Sequence, residues 1–418
     1  SAPTLLCPHA TILGMRVKIA TLPTEDPDFI ADPYPLLGIL REDCPVFYDD
    51  TVGLWFITRY DAVRRVQTDK SFGSTYRHRF SDDEFGHTNK QSKYPRYWEA
   101  EKYSLLLLEP PDHTRIRSLV AKAFQPKEVI KLNNFMQAEA ARLLDPLRGE
   151  EFDLLVDVAQ PYSISVIGKL LGVPKEDHGR FLDWSHKIVK MYDLQTSPKD
   201  ADIAEIAADE FIDYSLYLIK DRRTNPRQDL ITRLTLVVEG NEKLSDHEIV
   251  STMILLLNAG HEATVNVIGN GTSALLSFYG STHKAGQYVN DVVTLIEELI
   301  RWDSPLQFFQ RWVLADNVEF EGIKVPPREK VAILLGSANR DPRAFDNPDE
   351  LIVDRANNSH TSWGGGVHFC LGAHLARQEL DVMFTHVLSQ NISLVDQPER
   401  TGAFGIRGFK AVNVFSHL

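Results

Sequence analysis

Apolar residues recur at helical spacing along most of the chain. Val129, Leu132, Phe135, Met136, Ala140 and Leu143 keep to one helical face, and Ile164, Ile167, Leu170 and Leu171 do so again before Gly172-Val-Pro174 stops the run. The segment 181–220 alternates aromatic or apolar residues with charges and is broken at Thr196-Ser-Pro198. That pattern predicts two helices joined by a turn, either a lid or a solvated helix pair. Ser245-Asp-His-Glu248 has the form of a capping box, and the apolar pattern behind it runs through Ile268 towards Phe278, which predicts one helix of more than 30 residues. Gly260, Glu262 and Thr264 inside it are poor choices for helix stability alone. Strand patterning is sparse. Pro45-Val-Phe-Tyr48 and Leu54-Trp-Phe-Ile-Thr58 flank Asp49–Gly53 as a hairpin would, and Trp312-Val-Leu314 and Lys330–Leu335 flank the turn-like Val325-Pro-Pro-Arg328. Residues 73–104 are polar and aromatic without a period, which reads as a long functional loop.

Composition narrows the class. The 418 residues are 43% hydrophobic and 25% charged, so the chain folds around a large core, and its 22 Pro and 24 Gly are spread without a linker-like cluster, which admits a single domain. With 45 Lys plus Arg against 58 Asp plus Glu, the net charge of −13 disfavours nucleic acid or an anionic membrane as the main partner. Cys7, Cys44 and Cys370 are too few and too scattered for a disulfide framework, which points to a reducing compartment, the cytoplasm. No basic stretch precedes the apolar Thr11–Met15, and no run approaches the length of a membrane span, so no anchor is expected. The residues ahead of Met15 receive no function.

One short segment carries chemistry. Residues 363–377 read Trp-Gly-Gly-Gly-Val-His-Phe-Cys-Leu-Gly-Ala-His-Leu-Ala-Arg, a glycine-rich loop that delivers one cysteine to the start of an apolar-periodic helix. Gly364, Gly365 and Gly366 let backbone approach a flat, bulky ligand, and amides at a helix N-terminus stabilise a thiolate on Cys370. Such a thiolate can ligate haem iron axially. An inert buried cysteine is the bland alternative, and a zinc site from His368, Cys370 and His374 lacks a further ligand cluster at metal spacing.

The segment resembles the cysteine loop of the cytochrome P450 family, Phe-Gly-x-Gly-x-His-x-Cys-x-Gly, with Trp363 in place of the usual Phe. The resemblance spans roughly residues 25–415 and implies a mainly α fold with a small β-rich subdomain near the N-terminus. It also implies a single haem domain over 25–418 behind an extension, 1–24, with haem b between the long helix and the cysteine loop. Cys370 is then the proximal iron ligand, whose electron donation favours O–O cleavage. Glu298-Leu-Ile-Arg301 is similar to the family's structural Glu-x-x-Arg, and Arg355 to the third member of that lock, although the motif around it is degraded to Ile352-Val-Asp-Arg355. By the same resemblance His113 and Arg117, one helical turn apart, together with Arg311 and His368, hold the haem propionates. Ala259-Gly-His-Glu-Ala-Thr264 is similar to the oxygen-binding stretch. Gly260 would open a groove for dioxygen and Glu262 would relay protons, but Ala263 replaces the family's alcohol and Thr264 falls about 100° further round the helix. A substrate hydroxyl, an ordered water chain or Thr264 would then supply the missing hydroxyl.

The chain carries no flavin fingerprint and no iron–sulfur cysteine cluster, so electrons are expected from a separate partner, a ferredoxin with its reductase. By analogy the pocket draws on the 73–104 loop, the 181–215 helices, Leu256–Ala259, Leu306–Gln310 and Phe404. Leu306, Phe308 and Phe309 would give apolar surface, and Gln307, Gln310 and Asn258 would orient a polar group. The expected substrate is a medium or large apolar natural product, with or without oxygen functions. The rivals are peroxide-driven chemistry, which in such relatives typically replaces the helix acid by Arg-Pro whereas Gly260 and Glu262 stand here, ring coupling or desaturation, and a non-enzymatic haem sensor.

Overall fold

The structure is a computed structural model that describes residues 9–12, 15–18, 20–86, 93–194 and 196–418. Parts of the 1–24 extension, including Cys7, and residues 87–92 of the expected loop lie outside those residues. The chain divides into two compact units. The first comprises residues 1–88, 297–370 and 400–408, and the second 89–296, 371–399 and 409–418.

The first unit is built on a five-stranded sheet in the order Val46–Asp49, Leu54–Ile57, Lys330–Leu334, Phe308–Val313, Phe72–Gly73. The first two strands form the antiparallel hairpin that the sequence predicts, with Phe47 opposite Phe56, and Leu54–Ile57 pairs in parallel with Lys330–Leu334. Trp55, Ile57, Val63, Val66, Val313, Val331 and Ile333 form one buried cluster between this sheet and the helix Tyr60–Thr68. Two details depart from expectation. A second hairpin, Val318–Phe320 with Ile323–Val325, sits where only a connection is expected, and the strand around Trp312 begins at Phe308. Asp303 ties the 400–408 segment in: Tyr34 Oη, Arg400 Nη2 and Arg407 Nε donate to its carboxylate at 2.6, 2.6 and 2.7 Å. Burial alone would raise its pKa, but Arg407 and Arg400 hold the carboxyl well below the usual range. Cys44, buried in this unit, is disulfide-bonded, which corrects the expectation that the cysteines stand reduced.

The second unit is mainly helical, with a three-stranded antiparallel sheet in the order Asn391–Leu394, Asn413–His417, Glu151–Asp153. Its axis is the helix Asp246–Tyr279, 34 residues long, opened by the expected capping box and closed by Gly280 in the left-handed conformation. Serine and glutamate at that start satisfy two backbone N–H groups that have no partner inside the helix. Gln160–Leu171, Pro198–Thr224 and Ala373–Ser389 pack on it. His178–Ile188 and Pro198–Thr224 are the two helices read from the 181–220 pattern. The 73–104 loop proves partly helical, because Pro95–Glu101 forms a helix with Pro at its first turn, where a missing N–H costs nothing. Leu154–Leu171 is long and apolar enough to cross a membrane, a feature the reading by runs missed, yet 72% of it is buried inside the protein, as befits a core helix.

Candidate active site

In the first unit the cysteine loop is shaped by its glycines. Gly364 (φ 74°) and Gly366 (φ 58°) lie in the left-handed region, and a Cβ on Gly366 would stand 2.9 Å from the Gln67 carbonyl oxygen. Only glycine fits there without moving backbone. The Cys370 N–H donates to the Trp363 carbonyl at 2.8 Å and the Phe369 N–H to that of Gly366 at 3.2 Å, closing the loop on itself. Cys370 is half-buried and outside any disulfide, three residues ahead of the helix Ala373–Ser389. The Trp363 indole N–H donates to Glu297 Oε2 at 2.9 Å, and His360 Nε2 meets the same oxygen at 3.0 Å. Tryptophan in place of phenylalanine therefore adds a polar tether. His368 Nε2 lies 3.4 Å from Ser74 Oγ, and Arg311 Nη1 donates to the Gln310 carbonyl at 2.8 Å.

Beneath the loop Glu298 is fully buried and accepts five hydrogen bonds. They come from Arg301 Nε (2.7 Å) and Nη2 (2.8 Å), Arg355 Nε (2.9 Å), Asn358 Nδ2 (3.2 Å) and the Ile352 N–H (2.8 Å). The partner of Arg355, obscured by the degraded motif, is thus Glu298. Arg301 also donates to the carbonyls of Asn339, Pro348 and Glu350, so no end of this buried ion pair goes unsatisfied. The pocket residues of this unit are mostly structural. Phe308 stacks on Phe404, itself against Phe29, and Gln307 is buried with its amide on the Ser304 carbonyl and its backbone on Gly405 and Leu335. Leu306 and Phe309 stay half-buried.

In the second unit the long helix, buried over most of its length, is exposed at Ala259 and half-buried at Gly260, Glu262, Ala263 and Asn266. Ala259, Ala263 and Asn266 fall at i, i+4 and i+7, one face made of two methyl groups and an amide. Gly260 differs from expectation: its missing Cβ faces Ile167 on the Gln160–Leu171 helix, 2.8 Å from Cδ1, so it serves close helix packing. The Glu262 carboxylate accepts from Ser185 Oγ at 3.3 Å and faces His186 Nε2 at 3.6 Å. Burial raises its pKa, partly offset by His186 and Ser185. Beside it His261 is buried, and burial together with His186 pushes its imidazole down to about 3.

Thr264 turns inward, donating to Glu379 Oε2 at 3.3 Å on the Ala373–Ser389 helix. Its hydroxyl therefore serves the core, and the open face carries Ala263. Leu256 is buried, and Asn258 donates to Tyr192 Oη at 3.3 Å, which in turn donates to Glu101 at 2.6 Å. His113, buried, and Arg117, half-buried, share the helix Asp112–Ala123 at i, i+4 as expected. Sequence reading missed Ser185, His186, His261 and Glu379. Only Glu379 leaves a trace, a carboxylate set among the apolar positions of its helix.

A thiol outside any disulfide, closing a glycine-rich loop in the first unit, fits haem-thiolate chemistry, because soft sulfur suits iron; in the second unit the long helix carries a partly exposed small-residue face beside an acid. The class is that of the haem-thiolate oxygenases. The family profile "Cytochrome P450" matches residues 56–276 and 287–401, and the chain belongs to that family. It is 34% identical over 401 residues to the polyketide biosynthesis cytochrome P450 PksS of Bacillus subtilis (strain 168), covering 93% of this chain and 96% of the relative. It is 31% identical to the steroid C26-monooxygenase of Rhodococcus jostii (strain RHA1), covering 93% and 83%. The structure of P450BioI in complex with an acyl carrier protein ligated to hexadec-9Z-enoic acid superposes with a TM-score of 0.86 at 30% identity, covering 94% of this chain and 99% of that one. The protein is a cytochrome P450 monooxygenase whose cofactor is haem b and whose family uses dioxygen and a redox partner.

Proposed function

We propose that this monooxygenase inserts one oxygen atom from dioxygen, by hydroxylation or epoxidation, into a medium or large apolar natural product, with or without oxygen functions. A ferredoxin and its reductase supply the electrons, in the cytoplasm. The observation that carries the reading is the Cys370 thiol, outside any disulfide, at the end of a loop that Gly364 and Gly366 turn through the left-handed region. Bound haem b supplies a thiolate-ligated iron at which dioxygen is activated.

The chain's residues do the rest. Cys370 ligates the iron, Trp363, Gly364 and Gly366 hold the loop in shape, and His113, Arg117, Arg311 and His368 hold the propionates. Burial raises the Glu262 pKa above the ordinary carboxyl value and so favours its protonated form, with the Ser185 hydroxyl donating to one carboxylate oxygen. With Ala263 bearing no hydroxyl and Thr264 committed to Glu379, a substrate hydroxyl or an ordered water completes the transfer. Relatives named for polyketide, steroid and methyl-branched lipid chemistry support an apolar substrate. Leu306 and Phe309 in the first unit are half-buried, and in the second Ala259 is exposed and Ala263 half-buried, so each unit has apolar surface to offer such a substrate.

The test is the absorption spectrum of the reduced protein under carbon monoxide. A strongly red-shifted Soret band, absent in Cys370→Ala, is expected, followed by spin-state shifts with apolar substrates. A histidine-type band would refute the ligand assignment.

A further inference from the structure

Glu262 has neighbours that proton relay does not use. His261 is fully buried, and neither ring nitrogen has a hydrogen-bond partner. Leaving a buried imidazole so costs free energy, unless something else occupies the position. His186, on the helix His178–Ile188, places Nε2 3.6 Å from Glu262 Oε1, and its ring centroid stands 6.0 Å from that of His261. One ligand atom from each of the three residues lies within 4.8 Å of the other two.

We propose that His186, His261 and Glu262 form a binding site for a divalent transition-metal ion of the zinc class. Two imidazole nitrogens and one carboxylate oxygen are the donor set such an ion takes. With metal–ligand lengths of about 2.0–2.2 Å, tetrahedral coordination sets ligand atoms roughly 3.4 Å apart, close to the separation of His186 from Glu262. Three protein ligands leave one position for water. His186 is half exposed, with 44% of its side chain accessible, so the ion has an entry path from solvent and the buried His261 completes its inner side. The two elements that supply the ligands, the His178–Ile188 helix and the centre of Asp246–Tyr279, pack directly on each other. A bound ion would hold the Glu262 carboxylate and thereby withdraw it from proton transfer. That consequence, unlike the site itself, rests on the role given to Glu262 above.

Zinc titrated calorimetrically into the purified, haem-loaded protein tests the site. One tight site is expected in the wild type and in His283→Ala, a control at an exposed histidine elsewhere in the unit. Affinity should fall by about tenfold or more in His186→Ala and in His261→Asn. No zinc site in the wild type, or a site of undiminished affinity in His186→Ala, overturns the proposal; since His186 is half exposed, that variant probes the site without opening the core. Anomalous diffraction at the zinc edge should place the ion among the three side chains. Zinc binding that leaves oxygen consumption untouched would uphold the site and refute the relay role of Glu262, so the two failures are told apart.

Discussion

Replacing Glu379 by glutamine should make the protein more stable at alkaline pH and leave it nearly unchanged in acid. Glu379 is fully buried, the Thr264 hydroxyl donates to its Oε2, and Oε1 has no hydrogen-bond partner among the described residues. Burial pushes its pKa from the ordinary 4.5 up to about 8. Below the ordinary value both folded and unfolded chains carry the proton. Between the two values the unfolded chain releases it while the folded chain keeps it, so stability falls as pH rises and levels off once the folded carboxyl ionises. At 1.36 kcal/mol per pH step the interval from 4.5 to about 8 corresponds to about 5 kcal/mol. Glutamine keeps the shape and an acceptor for Thr264 but does not titrate. Urea midpoints followed by far-ultraviolet circular dichroism at about pH 5, 7 and 8.5 would measure the difference between the two proteins. A difference that stays constant across this range would refute the assignment of Glu379 as a buried neutral acid.

Three further outcomes follow from the same geometry. Glu298→Ala leaves the Arg301 and Arg355 guanidiniums buried without their carboxylate and should cost roughly 3–5 kcal/mol, read as a large drop in urea midpoint and poor haem retention. Gly366→Ala sets a Cβ against the Gln67 carbonyl at a positive φ and should cost about 1–3 kcal/mol and lower haem content, whereas Gly372→Ala, where nothing lies within 4 Å, should be mild. Ala263→Thr should raise the fraction of reductant that ends in product, measured as product formed per NADH consumed. Unchanged coupling would show that the absent alcohol is not the weak point of proton delivery.

What could be read in advance was local. The capping box at Ser245, the αL stop at Gly172 and the cysteine loop are each written in fewer than a dozen consecutive residues, because their physics is that of neighbouring backbone. Residues whose role depends on distant partners were misread or overlooked. Gly260 resembled a groove-former until Ile167, far away in the chain, proved to fill the space beside it. Thr264 looked available until Glu379 claimed its hydroxyl, and Gln307 and Phe308 looked like pocket walls until the sheet and Phe404 took them into the core. Arg355 was the reverse case, a degraded motif whose side chain nonetheless reaches Glu298. The 318–325 hairpin escaped notice because strands of three residues are too short for alternation to stand out.

Glu297 and Glu298 are consecutive, and each gathers a different stretch of chain: the first holds His360 and Trp363, the second Arg355, Ile352 and Asn358. The loop is therefore not a portable module. A loop grafted from a phenylalanine-bearing relative would strip Glu297 of the indole N–H that Trp363 donates to it while His360 stays on the same carboxylate oxygen. Position 297 and position 363 should consequently be inherited, exchanged or engineered together, as one unit of design two segments apart.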